Sequence, residues 1–181
     1  MGMEPLSPRR KWRAITLATL VLVPAYWMLL AGIVSASPDV EGGIANPAAA
    51  VAAGLSLIPF VFIVLAFMSQ HPHAPRAVLR GMGLCLLVGV MVSAVAADAV
   101  TGIVAGVGAG GVASLRSDVD DAWRPRAMAV LIASLYTFVL VRTAGPIALL
   151  PAPVFPFTAI GLADHLAERR RERDRERAAT A

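Results

Sequence analysis

The chain has 181 residues, of which 57% are hydrophobic and 15% charged, with a formal net charge of +4 and a mean hydropathy of +0.71. Apolar content this high, delivered in long unbroken blocks instead of amphipathic stripes, excludes an ordinary soluble domain and points to an all-α, polytopic membrane protein. The basic residues gather at the chain ends and in two short internal segments without interleaved aromatics, which excludes a nucleic-acid footprint.

Residues 1–13 form a basic amino terminus ending in Pro8-Arg9-Arg10-Lys11-Trp12-Arg13. The apolar block Ala14–Ala36 is longer than a signal-peptide core and is followed by further blocks, so it reads as a retained first span, with cleavage after Ala36 as the alternative. Ala48–Met68 is a second span. The next blocks, Gly81–Leu115 and Ala127–Ala163, are too long for one crossing each: a helix over the third would be roughly 50 Å long against a hydrocarbon core of about 30 Å. Each contains one charged residue near its centre, Asp98 and Arg142 respectively. A charge at mid-membrane costs several kcal/mol, whereas at the tip of a hairpin it reaches the headgroups. Splitting there predicts a helical bundle of six spans in three hairpins: Ala14–Ala36, Ala48–Met68, Gly81–Ala97, Ala99–Leu115, Ala127–Val141 and Gly145–Ala163.

The transmembrane domain is thus 14–163, and residues 164–181 form a charged carboxyl-terminal tail. With the amino terminus inside, every basic residue except Arg142 falls on the cytoplasmic side, and the external connections are the acidic loop around Asp39 and Glu41 and two tight turns, as the positive-inside rule prefers. The alternative has four spans, with the Gly-rich stretch in an external or re-entrant loop over Gly102–Arg126, and leaves more arginine outside. Arg13-Ala14, Pro75-Arg76-Ala77 and Pro125-Arg126-Ala127 each introduce an apolar span, a weak echo of three serial hairpins.

Asp98, Gly102, Gly106 and Gly110 recur at period four, so the glycines form overlapping GxxxG units on one helix face, where a neighbouring helix approaches to backbone distance. Gly89 and Ser93 continue that theme in the third span. The same glycines imitate a nucleotide loop but lack the preceding strand and the acidic ribose partner. Asp98 and Arg142 are the deepest ionisable groups, read as an ion pair between the second and third hairpins or as a polar transport site. Pro151, Pro153 and Pro156, with Pro146, break the last span and mark a hinge or an irregular binding element. His71 and His73 supply too few ligands for a metal site, Cys85 is a lone core thiol, and no nucleophile, base and metal constellation is visible. No cofactor and no enzymatic activity are therefore expected. The tail Ala167–Arg177 mixes both charge signs on every helical face and reads as a solvated helix or disordered extension, with its arginines suited to anionic lipid headgroups.

Ala97-Asp98-Ala99-Val100-Thr101-Gly102 through Gly111, together with Phe155-Pro156-Phe157-Thr158-Ala159-Ile160-Gly161-Leu162-Ala163-Asp164-His165, resembles small uncharacterised integral membrane proteins of actinobacteria. The excess of arginine over lysine fits a GC-rich bacterial genome. The resemblance implies a bacterial cytoplasmic (inner) membrane location and carries no activity. The expected function is a non-enzymatic accessory or scaffold component, with the lipid bilayer, anionic headgroups at its basic ends, and a second copy or another membrane protein as partners. The alternative is a small-solute or ion permease using Asp98, Arg142 and the proline-broken last span.

Overall fold

The computed structural model describes residues 6–37, 42–116, 123–144, 151–152 and 154–180. Among them the regular secondary structure is all helical, in the order α1 (Pro8–Ser35), α2 (Pro47–Met68), α3 (Ala74–Ala96), α4 (Ala99–Ser114), α5 (Trp123–Ala144) and α6 (Val154–Thr180). Four helical segments, Arg9–Ser35, Pro47–Met68, Ala74–Ala96 and Arg126–Ala144, are long and apolar enough to cross a membrane, while Ala99–Ser114 is a shorter apolar helix. The chain is a helical membrane protein.

The boundaries follow local chemistry. Pro8 and Pro47 occupy the first turns of α1 and α2, where a missing N–H costs nothing and φ is already set. Asn46 caps α2 by accepting from the Ala49 amide at 3.0 Å, and Asp98 caps α4. At the other ends, Gln70 and Ala97 both adopt φ of 51°, the left-handed conformation that turns a chain out of a helix. In both cases the turn is made without glycine, at a cost of about 1 kcal/mol each.

Several helices begin before their apolar blocks, α5 among them, which starts at Trp123 and includes Arg124 and Arg126. The α3 helix starts at Ala74 and includes Arg76 and Arg80, and α1 includes the whole run Arg9–Arg13. Charge ends a hydrophobic block without ending a helix, since arginine and lysine are good helix formers. The last span also differs from its sequence outline. Residues 145–150, Pro146 among them, and Pro153 lie outside the described residues; Pro151 sits in a turn, and α6 runs from Val154 without interruption through Ala163 and the tail to Thr180.

The α4 helix is the centre of the bundle, flanked by α2, α3, α5 and α6, while α1 pairs with α2 and meets α6. Its valines share one core cluster with Val61, Phe62 and Leu65 of α2, Leu22 and Tyr26 of α1, and Phe157 of α6. The outer faces are apolar as well: Leu20 and Trp27 on α1, Leu79, Leu86 and Val90 on α3, and Leu131 and Leu135 on α5 are all exposed. Exposed side chains of this kind on helices of this length suit a lipid surround.

Candidate functional site

The α3–α4 hairpin brings the sequence-selected glycines together within one chain. A Cβ at Gly106 would collide with the Cys85 carbonyl and come within 3.1 Å of the Gly89 Cα. One at Gly110 would meet Phe62 Cζ at 2.7 Å and the Gly81 carbonyl, and one at Gly102 would meet Ser93 Cβ at 2.8 Å and the Gly89 carbonyl. Gly81, Cys85, Gly89 and Ser93 of α3 therefore lie against Gly110, Gly106 and Gly102 of α4 in antiparallel order, both sets at period four. Gly89 itself has more room, with 3.4 Å to the nearest α4 atom, the Gly102 carbonyl. On its remaining faces α4 meets α6, where Gly108 and Gly111 abut Pro156 and Phe157.

Asp98 and Arg142 meet at the tip of this hairpin in an unexpected form. The Asp98 carboxylate accepts from the Val100 amide at 3.0 Å and the Thr101 amide at 3.1 Å, and also from the Thr101 hydroxyl. Arg142 donates to the Ala96 carbonyl at 3.1 Å and lies 5.7 Å from the Phe138 ring centroid. Among the described residues the two side chains are neighbours without a direct ion pair. Burial alone pushes the Asp98 carboxyl upward, but the Thr101 and Val100 hydrogen bonds and the charge of Arg142 together leave it below its ordinary value. Both groups bind backbone at helix ends, where an anion suits the start of α4 and a cation the end of α3.

The opposite end collects the basic residues. Arg10 donates to Gln70 Oε1 at 2.6 Å, the Arg116 amide donates to Ser69 Oγ at 3.2 Å, and Arg126 donates to the Leu115 carbonyl at 2.7 Å. The start of α1, the α2–α3 connection, the end of α4 and the start of α5 therefore adjoin one another. Lys11 joins them to α6 through a 3.0 Å ion pair with Asp164, the two side chains being 6% and 11% exposed. His71 sits in this setting half-buried and accepts from the His73 amide. Burial first, and then Arg126, Arg80, His73 and Arg116, lower its pKa. Among the described residues no three His, Cys, Asp or Glu side chains come together as a metal site.

The proline elements are separated by outcome. Pro156 is inside α6 and buried against Gly108, Pro151 is exposed in the preceding turn, and Pro153 lies outside the described residues. Sequence reasoning missed the Lys11–Asp164 pair and the Ser69–Arg116 contact. Neither carries a spacing signal, because the partners are far apart in the chain. The acidic loop at Asp39 and Glu41 also lies outside the described residues. No protein-family model matches the chain, and neither does any curated protein or solved structure.

Proposed function

We propose that this protein is a non-enzymatic accessory or scaffold component of a bacterial cytoplasmic membrane, crossing it six times as three hairpins with both ends inside. The observation that carries the reading is the occupation by backbone of the two charges set in the middle of long apolar sequence. Asp98 is the cap of α4 and Arg142 holds the Ala96 carbonyl. A permease of this size needs ionisable groups that exchange partners during transport, and here those groups hold a corner together. The six-crossing topology is supported by the segregation of charge: basic groups from α1, α3, α5 and the α2–α3 and α4–α5 connections lie towards one end, and Asp98 and Arg142 towards the other. At 1.5 Å per residue α4 is roughly 24 Å long, short for a hydrocarbon core of about 30 Å but served by polar groups at both ends and by local thinning.

In this reading the glycine face of α4 assembles the bundle internally, and the outward faces and cytoplasmic ends are left for lipid, a second copy or another membrane protein. Anionic headgroups lie against the basic ends. The test is reconstitution of the full chain into liposomes loaded with a pH-sensitive dye and with potassium. Proton and potassium flux equal to that of empty liposomes, for wild type and Asp98→Asn alike, is the expected result. A flux that wild type carries and Asp98→Asn lacks would establish the permease reading instead.

A further inference from the structure

The connection between α2 and α3 gathers hydrogen-bond donors in a basic corner. The His71 amide is held by the Ala66 carbonyl at 2.9 Å, and the ring Nδ1 accepts from the His73 amide at 3.1 Å. In a neutral imidazole that leaves the proton on Nε2, which is then a donor. Among the described residues the charged groups that act on this ring, Arg126, Arg80, His73 and Arg116, are all basic. Local contacts bring them together. Ser69, two residues before His71, accepts from the Arg116 amide at 3.2 Å, and Arg126 reaches the Leu115 carbonyl at 2.7 Å. Ser114 donates to the Ala77 carbonyl at 3.4 Å, which draws the first turns of α3, and Arg80 with them, to the same place.

The four basic groups divide into two kinds. Arg116 is buried, and it and Arg126 have further partners of their own, so they supply charge at fixed positions. Arg80 is exposed and, among the described residues, makes no hydrogen bond or ion pair. The aspartates of the α4–α5 connection, Asp118, Asp120 and Asp121, lie outside the described residues. An imidazole N–H and a guanidinium fork in such a setting suit a phosphate, which brings several acceptor oxygens and a negative charge. Depth selects the source of that phosphate. Arg80 is the last charged residue before the apolar run from Gly81, and its neighbour Leu79 is largely exposed. The donors therefore stand at headgroup level, with an apolar helix flank beginning beside them.

We propose that His71 Nε2 and the Arg80 guanidinium bind the phosphate of one anionic phospholipid from the cytoplasmic leaflet, with Arg116 and Arg126 favouring its charge. The site deepens the reading above, on which it rests, by giving the attraction of the basic end for anionic headgroups a single place and two named donors. Phosphatidylcholine carries the same phosphodiester but neutralises it with its own cation, so phosphatidylglycerol is the lipid the site prefers.

Native mass spectrometry of the full chain in detergent micelles, titrated with either lipid, counts the molecules bound and provides the test. The first phosphatidylglycerol is expected to bind about tenfold more tightly than phosphatidylcholine. Arg80→Gln, at an exposed position, should remove that preference. His71→Asn, whose side-chain carbonyl can still take the His73 amide, deletes the Nε2 donor and should weaken the first lipid by about threefold. Arg13→Gln removes an exposed arginine of α1 at the same end and should leave binding within about twofold. Equal losses from Arg80→Gln and Arg13→Gln would mean diffuse attraction to a basic surface and overturn the proposal. Displacement of the lipid by millimolar inorganic phosphate would overturn the assignment to a lipid, making the site one for a free anion. Failure of the chain to float with phosphatidylcholine liposomes would overturn the membrane-embedded reading itself, a result distinct from flotation without a preference for phosphatidylglycerol, which overturns the site alone.

Discussion

Helices α3 and α4 are the two arms of one hairpin, similarly apolar, yet they end in opposite environments. Of α4, the residues Thr101, Gly102, Val104 through Val112, and Ser114 are all buried, whereas α3 buries Ala74, Ala77, Gly81 and Ala96 and leaves Leu79, Leu86, Leu87, Val90 and Val95 exposed. Hydropathy does not sort them. In lipid a leucine gains little by moving from acyl chains to protein, so the helix that goes to the centre is the one whose side chains take least space and admit the closest neighbours. The α4 sequence, built from glycine, alanine and valine with two hydroxyl residues, meets four other helices. Leucine-rich α3 offers one small-residue stripe to α4, packs Ala74 and Ala77 near Ala66 of α2, and leaves its large side chains outward.

The difference is sharpest at Gly106, and the largest effect is expected there. Gly106→Leu would push a side chain into the Cys85 carbonyl and the Gly89 Cα, costing about 3 kcal/mol or more by overpacking; a large fall in detergent thermal stability or yield checks it. Leu86→Ala, on the outer face of the neighbouring helix, should change stability by within about 0.5 kcal/mol in the same assay. Equal effects at the two positions would remove the distinction between centre and periphery.

Next in size is the clasp that closes α1 over α6. Lys11→Met leaves Asp164 nearly buried without its ammonium partner and is expected to cost about 3 kcal/mol. Lys11→Met with Asp164→Leu should recover most of that loss, because an apolar pair needs no compensation. A double variant as unstable as the single would show that the ion pair itself, and not the orphaned charge, governs the contact.

Smaller effects are expected at the hairpin tip. Asp98→Ala removes the cap of α4 and should cost about 1 kcal/mol near neutral pH. Because the Asp98 pKa is lowered in the fold, its contribution is present above the ordinary carboxylate range and is lost as pH falls through its folded value. The difference between wild type and Asp98→Ala should therefore shrink below about pH 4. Ala97→Gly relieves the left-handed alanine and is expected to stabilise by up to about 1 kcal/mol, read as a rise in the same thermal transition. For His71 the sign is the same as for Asp98: its lowered pKa makes protonation unfavourable to the fold, so stability should decline as pH drops below about 6.5, and His71→Gln should flatten that decline.

Much of this architecture was legible from where charge falls in apolar sequence. Asp98 marks the tip between α3 and α4 because a carboxylate is costly inside lipid and useful as a cap, and the period-four glycines mark the face that meets α3. What was not legible has equally physical causes. Arg76 and Arg80 hid the first turns of α3, since a hydropathy boundary is not a backbone boundary. The partnership of Asp98 and Arg142 was readable as proximity, but the sequence alone did not reveal that each would bind a helix end in preference to the other. The continuity of α6 into the tail was obscured by the change from apolar to charged residues at Asp164, across which the helix continues. Lys11 and Asp164 could not be matched from the sequence, because nothing local links residues that far apart.

The central claim is that α4 crosses the membrane as the innermost helix and does not lie outside as a loop. Single cysteines at Ala97 and Arg124, both at exposed positions, in a Cys85→Ser background and labelled in intact cells with a membrane-impermeant maleimide, test it most directly. The account predicts labelling of the Ala97 position from outside and of the Arg124 position only after permeabilisation. Labelling of both from outside would contradict it, placing the start of α5 on the same side as the Asp98 tip and removing α4 from the set of crossings.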